Sequence, residues 1–245
     1  MAIIKGMIRV SKETQAGNAL WFILLAVALL GGLTAILSRG TSSTNQTGDI
    51  ERARIKASSL LQYTKSIENA VQNMMLSGIS ENNLDFKAIG ASHDNPDCNN
   101  TDCEVFSAEG GGITYRSAKK VLGNANFAGD WIISTGNRVG GHGCDDETDS
   151  CRELMVLLAN IDDTLCKQIN SVSGIENPSG TPPQQQYIEE GTPFTGSYSV
   201  NANNRLIGGT DATNESPQVA YKTAGCVTRF TASPTNYFFH VLIAR

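Results

Sequence analysis

The sequence predicts an α+β fold in which a long N-terminal helix packs on an antiparallel β-sheet. Three features of the 245-residue chain indicate this fold. An uncharged apolar run near the N-terminus is followed by a segment whose apolar residues recur every three or four positions, as in an amphipathic helix. The last segment, residues 237–243, instead has large apolar residues at every second position, which is typical of a strand.

The uncharged run, residues 19–37 (ALWFILLAVALLGGLTAIL), is predicted to be a transmembrane helix. Its length is close to the roughly 20 residues that a helix needs to cross a bilayer core. Residues 1–18 contain three basic residues, whereas Arg39 is the only nearby charge after the run. The positive-inside rule therefore predicts a cytoplasmic N-terminus and a C-terminal part outside the cytoplasm. The alternative is a cleaved signal peptide, which has a shorter apolar core and a small-x-small cleavage site.

Gly31 and Gly32 interrupt the apolar run with two residues that lack side chains. Paired glycines weaken a helix and allow another helix to approach closely. Glycine is also simply common in membrane helices. The pair is a candidate contact between neighbouring helices.

Two segments follow the run. Residues 38–49, which include the polar stretch GTSSTNQTG, are predicted to be a flexible neck. Residues 50–77 are predicted to be an amphipathic helix that Asp49 caps and Gly78 ends. A coiled-coil dimer is the alternative, but small residues on the apolar face suit close packing on a sheet better. That face carries Ile50, Ala53, Ala57, Leu60, Thr64, Ile67, Val71 and Met74.

Residues 78–245 are predicted to form a β-rich domain outside the cytoplasm. A short helix is predicted at residues 163–172, with an acidic cap before it and Gly174 after it. Residues 174–193 are predicted to be a long loop rich in proline and glutamine. The candidate strands are residues 112–116, 130–134, 154–159, 195–200, 225–230 and 237–243.

Six cysteines, all in the β-rich domain, predict three disulfides. Six cysteines allow 15 pairings. Local spacing favours Cys98–Cys103 and Cys144–Cys151 as small loops and leaves Cys166–Cys226 as the long-range pair. Metal binding is the alternative, but the chain has no Cys-x-x-Cys pair and His142 is the only imidazole nearby.

The segment between Cys144 and Cys151 is a weak candidate for a calcium site. Its side chains offer the oxygen ligands that calcium prefers, yet they lack the alternating spacing and the distal glutamate of an EF-hand. A solvated acidic loop is the favoured interpretation. The candidate ligands are Asp145, Asp146, Glu147 and Asp149.

The charge distribution and the lack of motifs argue against two classes of function. Residues 78–245 carry a net charge of −9, whereas nucleic-acid binding needs clustered basic residues. The histidines His93, His142 and His240 have no serine or cysteine partner motif, and His240 is expected on the less apolar face of the last strand. The sequence therefore predicts that the chain is not an enzyme and needs no cofactor.

A basic N-terminal stub, a membrane helix that leads into an amphipathic helix, and a disulfide-containing antiparallel sheet resemble the type IV pilins and the pseudopilins of type II secretion. In that family the leader ends in glycine, followed by an aromatic residue or methionine, with glutamate at the fifth mature position. The resemblance implies cleavage between Gly6 and Met7, although the first acid, Glu13, is then the seventh residue. It also implies that the helices stack into a filament core.

The expected function is therefore a structural subunit, major or minor, of a pilus-like or pseudopilus filament assembled from the inner membrane. Its expected partners are other subunits, inner-membrane lipid and the assembly machinery. Glu13, Gly31 and Gly32 are the candidate assembly residues. The alternative is a monomeric anchored envelope protein that binds a ligand through its distal domain.

Overall fold

The computed structural model describes residues 16–142, 152–191, 193–198, 205–209 and 216–245, without the side chains of residues 16–19, 37–46 and 205. The chain divides into two compact units, Met1–Asp49 and Ile50–Arg245. The division falls where the sequence predicts the start of the amphipathic helix.

The first element is the helix α1, Ala16–Leu76. It continues through residues 38–49, so the structure corrects the prediction of a neck between two helices. These residues include no proline, and each can therefore complete the main-chain hydrogen bonds of a helix. Gly78 follows the helix with a φ of 98°, as expected for the residue that ends it. Within the described part of the chain, no helix has both the length and the hydropathy that a membrane crossing requires.

The predicted apolar face of α1 is confirmed between Ala53 and Met74. Every residue of that face in this part is buried, and Leu60, Thr64 and Val71 have no exposed surface. Ile50 is the exception, since it is 39% exposed. Except for Ala53 and Thr64, the buried side chains of this face join those of the sheet in one hydrophobic cluster. The helix therefore covers one face of the sheet, and its small residues permit the close approach.

The main sheet has five strands, which are β1 (Trp131–Ser134), β3 (Leu154–Ile161), β4 (Gln184–Gln185), β6 (Ala224–Arg229) and β7 (Thr235–Ile243). Their order across the sheet is β1-β3-β7-β6-β4. Antiparallel pairs join β1 to β3, β3 to β7 and β7 to β6, whereas β4 pairs in parallel with β6 at the edge. The α+β class is confirmed, but the sheet is mixed. Two further strands, β2 (Asn137–Val139) and β5 (Arg205–Ile207), form a separate parallel pair.

Both faces of the central strand β7 are buried. Phe238 and Leu242 belong to the cluster that contains α1, whereas Tyr237, Phe239 and Val241 belong to a second cluster on the other side. The predicted alternation is thus confirmed for these residues, with one hydrophobic cluster on each side of the sheet.

The helix α3, Asp163–Val172, has the predicted bounds. The side chain of Asp162 caps it by accepting a hydrogen bond from the main-chain N–H of Leu165. Gly174 follows it with a φ of 65°. Within the described residues, the remaining α-helix is the short α2, Ala118–Val121.

Two predicted strands do not form. In residues 112–116 the main chain bonds to side chains instead of a neighbouring strand: the Tyr63 hydroxyl accepts from the N–H of Arg116, and Trp131 Nε1 donates to the Arg116 carbonyl. In residues 195–198 Gly196 has a φ of 91°, which a strand does not accommodate. Residues 199 and 200 lie outside the described residues.

Candidate functional site

The first candidate site is the apolar segment of α1 at residues 20–36. Each large apolar side chain in it exposes between 42% and 70% of its surface. The segment contains no charged residue. Contiguous exposed apolar surface is rare on soluble monomers and marks contact with a membrane or another protein. This segment is therefore a surface that needs a covering partner.

Gly31 and Gly32 lie within this segment in open space. A methyl group added at either α-carbon would meet no atom within 4 Å. The one hydroxyl nearby, of Thr34, bonds to the main-chain carbonyls of Leu30 and Gly31 at 3.0 and 2.9 Å. The hydroxyl of Thr34 is therefore satisfied within the helix and does not oppose an apolar environment.

Several predicted site residues lie outside the described residues. Their roles, which include the third predicted disulfide and the candidate calcium site, stay predictions. Within the described residues, no group of three or more histidine, cysteine or acidic side chains is placed to hold a metal ion. The residues outside are Gly6, Met7, Glu13, Cys144, Asp145, Asp146, Glu147, Asp149 and Cys151.

Two of the predicted disulfides involve only described residues, and the structure contains both of them. They are Cys98–Cys103 and Cys166–Cys226. The second joins α3 to β6, with 5.3 Å between the α-carbons. Asn170 reinforces this junction, because its side chain donates to the carbonyl of Cys226 at 2.9 Å and accepts from the N–H of Cys226 at 2.8 Å. The disulfide and the asparagine together fix the helix on the sheet.

The second candidate site is a buried polar contact between α1 and β7. Thr64 Oγ1 lies 2.7 Å from His240 Nδ1, and His240 Nε2 lies 2.7 Å from Glu68 Oε2. Thr64 and Glu68 are one turn apart on α1. The other carboxylate oxygen of Glu68 accepts from Lys65 at 2.7 Å and Gln72 at 3.0 Å. Three side chains from two elements thus bond to one carboxylate, and Thr64 bonds to the other ring nitrogen of His240.

The carboxylate of Glu68 is ionised at neutral pH. Burial raises its pKa, but the hydrogen bonds from His240 and Lys65 outweigh burial and lower the pKa to about 2. An ionised carboxylate only accepts, so His240 Nε2 carries a proton. The charge on α1 is therefore bonded directly to the central strand.

A hydroxyl, an imidazole and a carboxylate in series also occur in hydrolases, where they activate a nucleophile. Here Thr64 has no exposed surface, and its hydroxyl also lies 3.1 Å from the carbonyl of Leu60 in its own helix. A substrate cannot reach this hydroxyl. We interpret the contact as one that holds α1 on the sheet, which the sequence did not reveal because no local motif links His240 to Thr64.

His93 is a second histidine whose environment the sequence did not reveal. The sequence indicates a polar loop, whereas the ring is buried and Nε2 accepts a hydrogen bond from the main-chain N–H of Ile133 at 3.1 Å. Burial lowers its pKa. The neutral imidazole serves as an acceptor for β1, which is a structural role.

Glu153 is a second buried carboxyl, and its environment opposes ionisation. It has no exposed surface, and its Oε2 accepts a hydrogen bond from the main-chain N–H of Val139 at 2.9 Å. Burial raises its pKa to about 8, in spite of that hydrogen bond and the nearby charge of Arg138. At neutral pH the folded chain holds this carboxyl protonated.

We expect Glu153→Gln to make the chain less sensitive to alkaline pH. In the unfolded chain Glu153 ionises near its ordinary pKa of 4.5, whereas in the folded chain it ionises near 8. The unfolded state therefore loses the proton first, and stability falls as pH rises from 5 to 8. Glutamine keeps the acceptor and does not ionise, so between these pH values the variant should lose less free energy of unfolding than the parent, by on the order of 3 kcal/mol.

Urea unfolding at pH 5 and pH 8 measures this difference. Glu176→Gln, at an exposed residue, is the matched control and should behave like the parent. The prediction would be contradicted if the free energy of unfolding fell by the same amount from pH 5 to pH 8 in the Glu153→Gln variant and in the parent.

Comparison of the chain with models of protein families, with curated proteins and with solved structures found no match in any of the three. The α+β class therefore rests on the structure itself. The function has to be argued from the exposed segment, the buried contact and the disulfides described above.

Proposed function

We propose that the chain is a structural subunit of a filament of the type IV pilus or pseudopilus kind, assembled from the inner membrane. One observation carries the proposal: α1 exposes its apolar side chains at residues 20–36, whereas its apolar face at residues 53–74 is buried on the sheet. The sheet already covers residues 53–74, so only residues 20–36 still need an apolar partner.

Lipid is the proposed partner of residues 19–37 before assembly, and the same segments of neighbouring subunits are the partners afterwards. The segment is apolar on all sides, so it suits both environments. Lipid supplies no hydrophobic drive for association, and close packing and polar pairing must supply it instead. Ala26, Gly31 and Gly32 would allow the close packing, and Glu13 would supply the pairing.

Two features support a position of the distal part outside the cytoplasm. Disulfides persist in oxidising compartments and are rare in the cytoplasm, and the chain forms two within the described residues. The basic residues precede the apolar segment, which also predicts a cytoplasmic N-terminus. The proposed location is the inner membrane, with the distal part in the periplasm or on the surface.

We expect Gly31→Leu to prevent assembly and to leave folding and membrane insertion intact. Leucine meets no atom of its own chain at this position, so the isolated subunit tolerates it. In an assembly its side chain would hold neighbouring helices apart. We therefore expect at least a tenfold loss of intersubunit crosslinks, which corresponds to about 1.4 kcal/mol of association free energy. Crosslinking in cells through cysteines placed along residues 19–37 measures this loss.

Val27→Leu is the matched control, because it exchanges one large exposed side chain for another in the same segment. It should crosslink like the parent. Electron microscopy of sheared surface material is the parallel measurement. An expressed and anchored chain that gives neither crosslinks nor filaments would reject the subunit proposal in favour of a tethered monomer.

Glu13→Ala addresses polar pairing separately. An unmatched charge in a low-dielectric environment is costly, so a paired Glu13 would favour assembled subunits over dispersed ones. The variant should keep its disulfides and lose crosslinks. Unchanged crosslinking would remove Glu13 from the assembly site but leave the helix contact to be judged by the Gly31 variant.

A further inference from the structure

A pocket of about 370 Å³ lies on the surface of the distal unit, between α1, the C-terminal end of α3 and the segment that leads into β6. The polar side chains in its wall are Lys65, Ser173, Tyr221, Lys222, Thr223 and His240. None of the residues that line it is acidic. This composition is unusual for a domain in which residues 78–245 carry a net charge of −9.

The two lysines keep hydrogen-bond donors available to the pocket. Lys65 donates to Glu68 at 2.7 Å, and Lys222 donates to the carbonyl of Gly174 at 3.0 Å. Each ammonium group has three N–H donors, so each retains two. The carboxylate of Glu68 does not line the pocket, and its oxygens are bonded to His240, Lys65 and Gln72. The pocket thus has two cationic groups and no carboxylate in its wall.

Three hydroxyls add neutral donors. Within the described residues, the side chains of Ser173, Tyr221 and Thr223 have no hydrogen-bond partner. Tyr221 has a φ of 62°, a conformation that few non-glycine residues adopt, and its main-chain N–H donates to the carbonyl of Gly140 at 2.7 Å. One ring nitrogen of His240 bonds to Thr64 and the other to Glu68. His240 therefore lines the pocket but has no free nitrogen for a ligand.

From this arrangement we propose that the pocket binds a small dissolved oxyanion, a carboxylate or a phosphate. Hydrogen bonds between ammonium groups and such anions are among the strongest in proteins. The hydroxyls would bind the remaining oxygens of the ion. This site lies outside the apolar segment of α1, and the proposal does not depend on filament assembly.

Isothermal titration of the purified full-length chain in detergent, at low salt, tests the proposal. Inorganic phosphate and succinate are titrated separately, which distinguishes the two anion classes. We expect saturable binding of at least one of them. Lys222→Met keeps the aliphatic part of the side chain and removes the charge, and it should weaken binding about tenfold. Lys119→Met, at an exposed lysine of α2, is the matched control and should bind like the parent.

Tyr221→Phe is a second variant that keeps the ring and removes one donor. Tyr221 is 75% exposed, so folding does not rest on its hydroxyl, and we expect binding to weaken several-fold. The proposal is overturned if neither ion shows saturable binding at concentrations up to about 10 mM, which is ten times a Kd of about 1 mM. It is equally overturned if Lys222→Met and Tyr221→Phe both bind like the parent.

Discussion

Replacing His240 with alanine is expected to lower the free energy of unfolding by about 3 kcal/mol, because it leaves the buried charge of Glu68 without its partner on the sheet. Glu68 is only 7% exposed, and Lys65 and Gln72 would be its remaining donors. The variant also removes the bond to Thr64, whose hydroxyl can still donate to the carbonyl of Leu60. Urea unfolding of the full-length chain measures the loss.

A double-mutant cycle separates this contact from simple loss of packing. In the chain that carries both Glu68→Ala and His240→Ala, neither group is left buried without its partner, so the double variant should lose less than the sum of the two single variants. Additive losses would show that the contact between Glu68 and His240 has no special energy. A loss below about 1 kcal/mol in His240→Ala would contradict the prediction outright.

The same contact predicts how the parent responds to acid. The pKa of Glu68 is about 2 in the folded chain and 4.5 ordinarily. A lowered pKa means that the stabilisation is complete above pH 5 and is lost as pH falls from about 4.5 to 2, because the folded state must then take up the proton. In the His240→Ala variant the loss of unfolding free energy between pH 4.5 and pH 2 should be smaller, because the main donor that lowers the pKa of Glu68 is missing.

Removal of the Cys166–Cys226 disulfide is expected to destabilise the chain by about 4 kcal/mol. The two cysteines are 60 residues apart, and in the chain-entropy model opening a loop of that size restores this much freedom to the unfolded chain. Replacing both cysteines with alanine avoids two free thiols in a buried site. Unfolding in urea without reductant measures the difference, and peptide mapping of the unreduced parent checks the pairing.

The Cys98–Cys103 pair provides the matched control. It closes a separation of only five residues, so the same model gives about 2 kcal/mol for its replacement by alanine. A loss as large for this pair as for Cys166–Cys226 would contradict the loop-size argument. Recovery of Cys166 as a free thiol from the native chain would contradict the pairing itself.

These two contacts have a common consequence for the proposed subunit. The Glu68–His240 contact holds α1 on the sheet, and the Cys166–Cys226 disulfide with Asn170 holds α3 on the same sheet. In the proposed filament, neighbouring subunits would load one another through their packed α1 helices. Firm attachment of α1 to the sheet would transmit this load to the distal part.

Local periodicity was sufficient to predict the elements whose burial repeats at short range. The apolar face of α1 from Ala53 to Met74, the alternation in β7 and the bounds of α3 all follow from residues that are near neighbours in sequence. Cys98–Cys103 followed from spacing for the same reason. In each case the residues that define the feature lie within a few turns of one helix, within one strand or within one short loop. The pattern is therefore visible in a short stretch of sequence.

Only the tertiary structure revealed the features that depend on distant residues. His240 lies 176 positions from Thr64, and Asn170 lies 56 positions from Cys226. The short strands β2, β4 and β5 have too few residues to show an alternation, and residues 112–116 give their hydrogen bonds to Tyr63 and Trp131 instead of a strand. A side chain's partner across the fold leaves no local pattern, because folding selects it by the close approach of two elements and not by spacing along the chain.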